Sequence, residues 1–429
     1  PPEKVRAAAR LYAGASPAAL GWGNPVEQTG QAFSTIRSLV CLMALTGNLD
    51  RPGGNRQPVE PPVRKPGEFV RADLLPGKRE RMLNAHYGTV PGLMTVPPAF
   101  FRRAVLEGEP YPVRAAYMQC TNPLITHADS KRTRQALNAL DFLAVSDIYL
   151  TPTAALSDVV LPAATQFEFD DIGHYGLGHG IILARPRMVD PPPECLPDLE
   201  IINRLGHRIS SPELWFDHSS RILEHFVEPA GLDYATLCRK GHLRGENRAF
   251  KYLEQGFGTP SGKVELCLSR ADKLGVPELP EFHGLPQETE SEYPLVLTCS
   301  KSPNYLHSSY RWLPRLRRRE PDPVAVIHPR TAEEHGIEDG EWVVIATKWG
   351  RIEQKAKVRD RVLPGVVHAA YGWWFPEAGE GALHDWDRSN YNILTSATAV
   401  GHEFGTPDLK GVACRIFVGR LAGSSVERG

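Results

Sequence analysis

Residues 113–162 carry a strand–loop–helix–strand pattern that restricts the possible fold more than any other feature of the chain. Short apolar runs at 115–118, 142–146 and 159–162 predict strands, and residues 130–140 predict a helix between the first two. Right-handed crossovers build such a βαβ unit into a parallel sheet. Polar residues follow the strands at the sheet edge where open α/β folds bind ligands.

A different pattern begins after Tyr293 and predicts a closed β-barrel. Short strand-like runs are separated by turns and surround one helix at 329–335. Six such strands favour closure over an open sheet. The runs lie at 295–298, 324–327, 342–347, 351–358, 366–369 and 411–418. The expected fold class is therefore α/β, with Rossmann-like parallel-sheet domains followed by a six-stranded C-terminal barrel.

Further elements are expected outside these two blocks. Apolar periodicity predicts helices at 1–12, 28–45, 98–107 and 197–208, and a short strand at 18–22. The 429 residues exceed what one compact core usually holds. The 49 Lys and Arg balance the 50 Asp and Glu, so no global field recruits nucleic acid. The chain has no apolar run of roughly 18 residues, so no membrane insertion is expected.

The seven cysteines are scattered, and the nearest two, Cys238 and Cys267, are 29 residues apart. Zinc and iron–sulfur sites need clustered thiolates, so this chain is not expected to hold either by itself. Buried, unpaired thiols are the simpler interpretation. The histidines between 174 and 242 lack a tight ligand spacing and are expected to be solvated or hydrogen-bonded.

Three loop groups could carry chemistry. They are Thr121-Asn122-Pro123, Asp147 with Thr151 and Thr153, and 300–311 with Asn392. The first two follow parallel strands and would suit a phosphate or nucleotide. The alternative is that the Asp and Thr side chains only cap the short helix that follows, and spacing alone favours this alternative.

Two further runs also have two interpretations. Trp373-Trp374 could stack on a heterocycle, although paired aromatics after a strand usually belong to a core. The arginine run at 315–319 is typical of a solvated face, but it could instead neutralise a phosphate.

Four motifs in order resemble the molybdopterin oxidoreductase (dimethyl-sulfoxide-reductase) family. Residues 45–55 are similar to the family's LTGN-x-x-RPGG segment, and residues 121–163 resemble the block that holds one guanine-dinucleotide arm. Residues 259–265 match TPSGK-x-E, and 293–418 resemble the C-terminal dinucleotide-binding barrel, of the double-psi type. The resemblance covers essentially the whole chain.

The resemblance implies a bis(molybdopterin guanine dinucleotide) cofactor with molybdenum or tungsten. It implies three domains: residues 1–57 end one α/β domain, 58–290 form a cofactor-binding α/β domain with insertions, and 291–429 form the barrel. One cofactor arm is expected at Asn122, Asp147, Thr151 and Asp158. The other arm is expected at Ser300, His307, Ser308, Ser309, Arg311, Asn392 and Lys410. No catalytic residue or protein ligand to the metal is identified.

The front of the family pattern, with its metal ligand and frequent [4Fe–4S] cysteines, has no counterpart here. Pro1 already begins a helix, so we expect the chain to be part of a longer protein and to be inactive alone. A [4Fe–4S] cluster is expected only in the missing N-terminal segment. The compartment, cytoplasmic or periplasmic, stays open because no N-terminal signal is visible.

The resemblance leaves three functions open. Within the family, the chain most resembles the thiosulfate/polysulfide-reductase, acetylene-hydratase and formate-dehydrogenase-like branch. The segments that carry this resemblance are 307–311, 371–377 and 409–415. The family is mostly redox, which favours an oxidoreductase of anaerobic respiration that acts on a small molecule, with an iron–sulfur electron-transfer subunit as a possible partner. The alternatives are a non-redox hydratase and a non-catalytic structural subunit that keeps the fold.

Overall fold

The computed structural model describes residues 1–69, 74–85, 96–175, 179–282, 291–396, 401 and 405–421. Residues 283–290, where the predicted boundary before the barrel falls, lie outside this part, and the division into three domains stays a prediction. No helix in the described ranges is long and apolar enough to cross a membrane.

The helices and strands follow the order that the sequence patterns predict over most of the chain. The α-helices are α1 (Pro2–Gly14), α2 (Ala32–Leu45), α3 (Pro66–Phe69), α4 (Pro98–Leu106), α5 (Pro123–Thr126), α6 (Ser130–Asn138), α7 (Asp198–Ile209), α8 (Ser220–Val227), α9 (Tyr234–Lys240), α10 (Lys251–Gln255), α11 (Ala271–Leu274), α12 (Pro314–Arg319) and α13 (Pro329–Glu334). The strands are β1 (Ala115–Gln119), β2 (Phe142–Asp147), β3 (Val159–Pro162), β4 (Asp171–Tyr175), β5 (Ile181–Arg185), β6 (His242–Arg244), β7 (Leu295–Ser300), β8 (Val324–Ile327), β9 (Trp342–Ala346), β10 (Arg351–Val358), β11 (Val366–Ala370) and β12 (Val412–Val418).

The predicted βαβ unit is confirmed as a parallel sheet in the order β1-β2-β3. Helices α5 and α6 lie between β1 and β2 in the chain. The central strand β2 is buried from Leu143 to Ser146, as expected for a parallel strand covered on both faces. All three strands therefore present their carboxyl ends at one edge.

The predicted barrel is confirmed as well, with strands in the order β10-β8-β11-β7-β12-β9 and closure between the first and last. Two of the six pairs are parallel (β7 with β11, β8 with β10), and the other four are antiparallel. Closure leaves no unpaired strand edge, which explains how such short strands form a stable sheet.

A third sheet was not expected from the sequence. Strands β4, β5 and β6 form an antiparallel sheet in that order. The third strand has only three residues and lies far along the chain from the second, so neither periodicity nor a hairpin turn marks it.

The predicted strand at 18–22 is wrong, because side chains rather than a neighbouring strand hold this segment. The N–H groups of Ala18 and Leu20 donate to the side-chain oxygens of Asn48 and Asn55, at 2.9 and 2.8 Å. Asn55 also returns a bond from Nδ2 to the Leu20 carbonyl at 2.7 Å. These asparagines belong to the LTGN-x-x-RPGGN motif, whose role here is to anchor the extended segment.

Helix α2 begins at Ala32, four residues later than periodicity predicts. The preceding residues are bound elsewhere: the N–H of Gly30 donates to Asp408 at 2.6 Å, and the carbonyl of Gln28 accepts from Leu409 at 3.1 Å. These contacts with a distant segment compete with the first helical turn, which is why the helix starts late.

One apolar core connects the parallel sheet to the barrel. It includes Leu124, Val145, Ile327 and Ile345, each fully or almost fully excluded from solvent. The sheet and the barrel therefore pack as one unit, and the loops at their edges have defined relative positions.

The substitution Gly54→Ala should destabilise the fold. A Cβ at this position would lie 2.5 Å from the Asn48 carbonyl oxygen, and backbone there cannot move without breaking the anchor of residues 18–20. We expect the free energy of unfolding to fall by about 1–3 kcal/mol, the usual range for overpacking. Urea unfolding followed by circular dichroism measures it. The control is Gly21→Ala, where a Cβ meets nothing within 4 Å; equal stability of the two variants would contradict the packing argument.

Candidate functional site

Three residues predicted to bind one ligand arm meet at the carboxyl edge of the parallel sheet. Asn122 precedes α5 just after β1, Asp147 ends β2, and Thr151 follows in the next loop. The Asn122 side-chain oxygen accepts from the Thr153 hydroxyl at 2.7 Å and from the Thr153 N–H at 3.3 Å. These bonds hold the two loops together, as the shared edge of parallel strands predicts.

The capping interpretation applies to Thr151 but not to Asp147. The Thr151 hydroxyl oxygen accepts from the N–H of Ala154, at 3.3 Å, where a short 3-10 helix begins. The Asp147 carboxylate instead accepts from the N–H groups of Ile148, at 2.8 Å, and Tyr149, and from the Thr151 hydroxyl. A carboxylate has about four acceptor positions, so Asp147 keeps one for another group.

The electrostatics of Asp147 are unusual for a surface loop. Burial raises the pKa of its carboxyl to about 6, and the neighbouring Asp198 adds to the rise. No Lys, Arg or His of the described ranges is among the groups that shift this pKa. A half-buried carboxylate without a cation is suited to accept hydrogen bonds from the N–H groups of a bound base.

Asp198 and Cys120 belong to this edge and were missed by sequence reasoning. The Cys120 thiol donates to one Asp198 oxygen at 2.8 Å, and the Ser146 hydroxyl donates to the other at 3.2 Å. Although part of Cys120 is exposed, burial of its thiol and the adjacent Asp198 together raise the thiol pKa to about 12. Asp198 is 78 residues from Cys120 in the chain, and no local motif marks the pair.

The structure does not bring Asp158 to the same group. Its Oδ2 accepts from the N–H of Leu143 at 2.7 Å, near the amino end of β2. Asp158 precedes β3, so it lies at the edge of the sheet opposite to Asp147. Its visible role is to hold the start of β2.

The second predicted group assembles at the carboxyl ends of β7 and β11. Ser300 ends β7 and pairs in parallel with Ala370, the last residue of β11. The Lys410 ammonium donates to the Cys299 carbonyl at 3.0 Å and lies 2.7 Å from its sulfur. Lys410 and Ser300 thus occupy the same edge of the barrel.

His307 is held at this edge by the residue that follows β11. Its Nδ1 is hydrogen-bonded to the Tyr371 hydroxyl. Burial raises the pKa of that phenol to about 12, so the hydroxyl is protonated and donates to the ring nitrogen. Burial and nearby Lys301 lower the pKa of His307, so the ring is neutral at pH 7. Its second ring nitrogen can then donate to an anionic group.

The turn that carries Ser308 and Ser309 has a strained, tightly packed backbone. His307 and Tyr310 adopt left-handed φ values of 51° and 70°. The Ser308 carbonyl accepts from the Trp374 indole at 2.7 Å, and the Ser309 N–H donates to Leu306 at 2.8 Å. The backbone at Gly372 packs closely against this turn. Only glycine fits there, because a Cβ would lie 2.6 Å from the His307 carbonyl oxygen.

Arg311 and Asn392 lie behind the barrel edge rather than on it, so neither position supports the predicted direct contact. Arg311 is 1% exposed, and its guanidinium donates to the carbonyls of His307 and Tyr371. Burial lowers its pKa to about 9. Asn392 is buried and donates to the Ile125 carbonyl at 2.9 Å. The first positions the His307 turn, and the second joins the barrel to α5.

One aromatic stack connects the loop after β2 to the segment that carries Arg311. The Tyr149 ring follows β2 and stacks on Trp312, with centroids 4.4 Å apart and an interplanar angle of 13°. Trp312 in turn contacts Trp374 of the barrel core at 6.1 Å. The sheet-edge group and the barrel-edge group are thereby brought into one neighbourhood.

The remaining sequence hypotheses have different outcomes. Trp373 and Trp374 are fully buried and belong to the core. In the arginine run, Arg317 pairs with Glu377, and the other three arginines are exposed. No group of three or more His, Cys, Asp or Glu among the residues described could hold a metal. All seven cysteines lie in the described ranges and are free, and Cys120 and Cys267 are exposed rather than buried.

The residues at the two edges fit the two anionic dinucleotide arms that are expected there. The sheet edge offers carboxylate acceptors for the N–H groups of a base, and the barrel edge offers an ammonium, a neutral imidazole and hydroxyls for phosphates. The buried Nδ2 of Asn122 has no partner within the described part of the chain and is a donor left for a bound acceptor. The described residues thus fit the organic part of the implied cofactor and supply no ligand set for its metal.

Removing the Asp147 charge should stabilise the ligand-free chain at high pH. Its carboxyl pKa is raised in the folded state, so protonation favours folding at low pH and this stability is lost as pH rises through about 6. The free energy of unfolding of Asp147→Asn should therefore exceed that of the unmodified chain by about 1–2 kcal/mol at pH 8, after allowance for solvent screening. At pH 4 the two should be equal. Urea unfolding at both pH values tests this, with exposed Asp360→Asn as control. A pH-independent difference would contradict it.

Two family profiles match the chain. Residues 8–208 match the molybdopterin oxidoreductase family, and residues 295–413 match the molydopterin dinucleotide binding domain. The second match coincides with the closed barrel, and the first contains the parallel sheet.

Known proteins agree with these matches. A probable oxidoreductase, YoaE, of Bacillus subtilis is 29% identical over 89% of this chain and 55% of its own length. Formate dehydrogenase H of Escherichia coli is 28% identical over 96% of this chain and 57% of its own length. The structure of acetylene hydratase from Pelobacter acetylenicus has the same fold, with a TM-score of 0.91 and 24% identity over 97% of this chain and 63% of that one.

The chain spans little more than half the length of these curated relatives. The family matches, the relatives and the barrel together identify the cofactor as a molybdenum or tungsten bis(molybdopterin guanine dinucleotide). The chain is a member of the molybdopterin oxidoreductase family.

Proposed function

We propose that this chain is the cofactor-binding C-terminal part of an oxidoreductase. The enzyme transfers electrons, together with an oxygen or sulfur atom, to or from a small substrate. The supporting observation is that an acceptor-rich sheet edge and a donor-rich barrel edge meet across the Tyr149–Trp312 stack. With one dinucleotide arm expected at each edge, the sheet edge suits the base of one arm and the barrel edge suits the phosphates of the other. When bound, the metal–pterin group supplies the redox chemistry.

The roles of the chain's own residues follow from their chemistry. Asp147, aided by Asp198, would accept hydrogen bonds from the N–H groups of a guanine base. Lys410 and the neutral His307 would donate to phosphate oxygens, and Ser300 would add a hydroxyl. Arg311 and Tyr371 act through His307 and hold its turn in place. None of these groups needs to change protonation during turnover.

The names of two relatives support the redox assignment. One is described as a probable oxidoreductase and another as a formate dehydrogenase, and both match most of this chain. A hydratase on the same scaffold and a non-catalytic subunit are the alternatives. We also propose an iron–sulfur electron-transfer subunit as partner, because a redox enzyme of this kind needs an electron donor or acceptor.

Asp147→Ala should weaken cofactor retention, because a base N–H would lose its buried acceptor. We expect the metal and pterin content of the purified full-length gene product to fall about fivefold or more, in line with the loss of a hydrogen bond to a charged group. Elemental mass spectrometry and fluorescence of oxidised pterin measure the two contents. Asp158→Ala is the matched control, since that carboxylate lies at the opposite edge of the sheet. Unchanged content in Asp147→Ala would refute the assignment of this edge.

Turnover assays separate the three functions. With the loaded full-length protein, candidate small substrates are tested with and without an artificial electron acceptor or donor such as a viologen dye. Turnover that requires the dye supports the redox proposal. Conversion without any electron carrier would establish a hydratase, and full loading without any conversion would favour the structural subunit.

A further inference from the structure

A cavity of about 620 Å³ lies beside α7, outside the two edges described above. Its walls come from α7, α8, β4 and the segment that joins α7 to α8. Most of the lining is apolar, with the aromatic rings of Phe69, Trp215, Phe216 and Phe226. Small-molecule sites usually measure about 300–1,000 Å³ and are lined in this way. The size and the lining therefore suit one small organic ligand.

The wall formed by Trp215 has a defined position. Its indole Nε1 donates to the Ser210 hydroxyl at 2.6 Å. The ring lies flat on α7 at Gly206, where a Cβ would come within 2.0 Å of it. Only glycine allows this contact, so the indole is fixed against the helix and does not swing into the cavity.

One buried polar group of the lining lacks a partner. Asn203 is 2% exposed, and its Nδ2 donates to the Phe216 carbonyl at 2.6 Å. Its Oδ1 has no hydrogen-bond partner within the residues that the structure describes. An unpaired buried acceptor is costly to the fold, and a ligand that supplies a donor would remove that cost.

The charges around the cavity exclude most ions. The lining contains no Lys or Arg, and its one imidazole, His174, packs edge to face on Phe226, so an anion would find no permanent countercharge. Its one carboxylate, Asp171, lies 3.4 Å from Arg185 and is already compensated. The cavity is therefore suited to an uncharged molecule.

We propose that this cavity binds a neutral aromatic molecule with a hydroxyl or amino donor. The ring packs among Phe69, Trp215 and Phe226, and the donor group bonds to Asn203 Oδ1. Asp198, at the start of α7, belongs to the sheet edge, whereas the cavity is lined by later residues of the helix such as Ile202. The ligand site is thus distinct from the cofactor edge.

The first test is calorimetric titration of the full-length gene product with two probes of equal ring size. One is 2-naphthol, which has a hydroxyl donor, and the other is naphthalene, which has none. We expect 2-naphthol to bind at one site and about fivefold more tightly than naphthalene, the usual effect of one hydrogen bond. No binding, or equal affinity for both probes, would overturn the proposal.

Matched variants locate the site. Ile222→Trp fills the cavity and should abolish binding, whereas Arg221→Trp adds the same ring at the exposed neighbour on α8 and should leave it unchanged. Asn203→Leu should remove the preference for 2-naphthol. His207→Leu is its control, because His207 also bonds the Phe216 carbonyl, at 2.8 Å, but does not line the cavity. Binding that survives in Ile222→Trp would overturn the proposal.

Thermal unfolding of each variant checks that the chain still folds. Metal and pterin content, measured on the same samples, should not change in Ile222→Trp. Failure of the cofactor assignment and failure of this proposal are therefore seen in different measurements.

Discussion

Two buried asparagines join the barrel to the parallel sheet, and the candidate site depends on this junction. Asn390 donates to the Leu124 carbonyl and to Ser130, and Asn392 donates to the Ile125 carbonyl. Both side chains are excluded from water. Loss of one asparagine would leave a buried carbonyl without its hydrogen bond and lower the free energy of unfolding by about 1–3 kcal/mol. The continuous apolar core surrounds these bonds, which gives them a fixed geometry as well as a low-dielectric environment.

The two edges differ in electrostatic character. The loops after β1 and β2 are partly withdrawn from solvent, which raises the pKa of Asp147 and leaves its carboxylate without a cation. At the barrel edge, the Tyr371 hydroxyl and the guanidinium of Arg311 hold the His307 turn, and burial keeps the imidazole neutral. One edge therefore accepts hydrogen bonds and the other donates them.

The regular elements could be predicted wherever the hydrophobic pattern spans a whole strand or helix. The βαβ unit and the six barrel strands were identified because each run is short, apolar and bounded by turn residues. The segment at 18–22 has the same composition but is anchored by the side chains of Asn48 and Asn55, which no periodicity reveals. The three-residue strand β6 is too short to carry a pattern at all.

The linear order of residues was enough to specify the fold class, the family and the loops that end at the sheet and barrel edges, because these depend on local patterns and on motif spacing. Which side chains reach the site was decided only by packing. Asp158 holds the amino end of β2, Arg311 and Asn392 lie behind the surface, and Asp198 joins the site from 78 residues beyond Cys120. Burial and long-range contacts create these roles, and neither exists until the chain has folded.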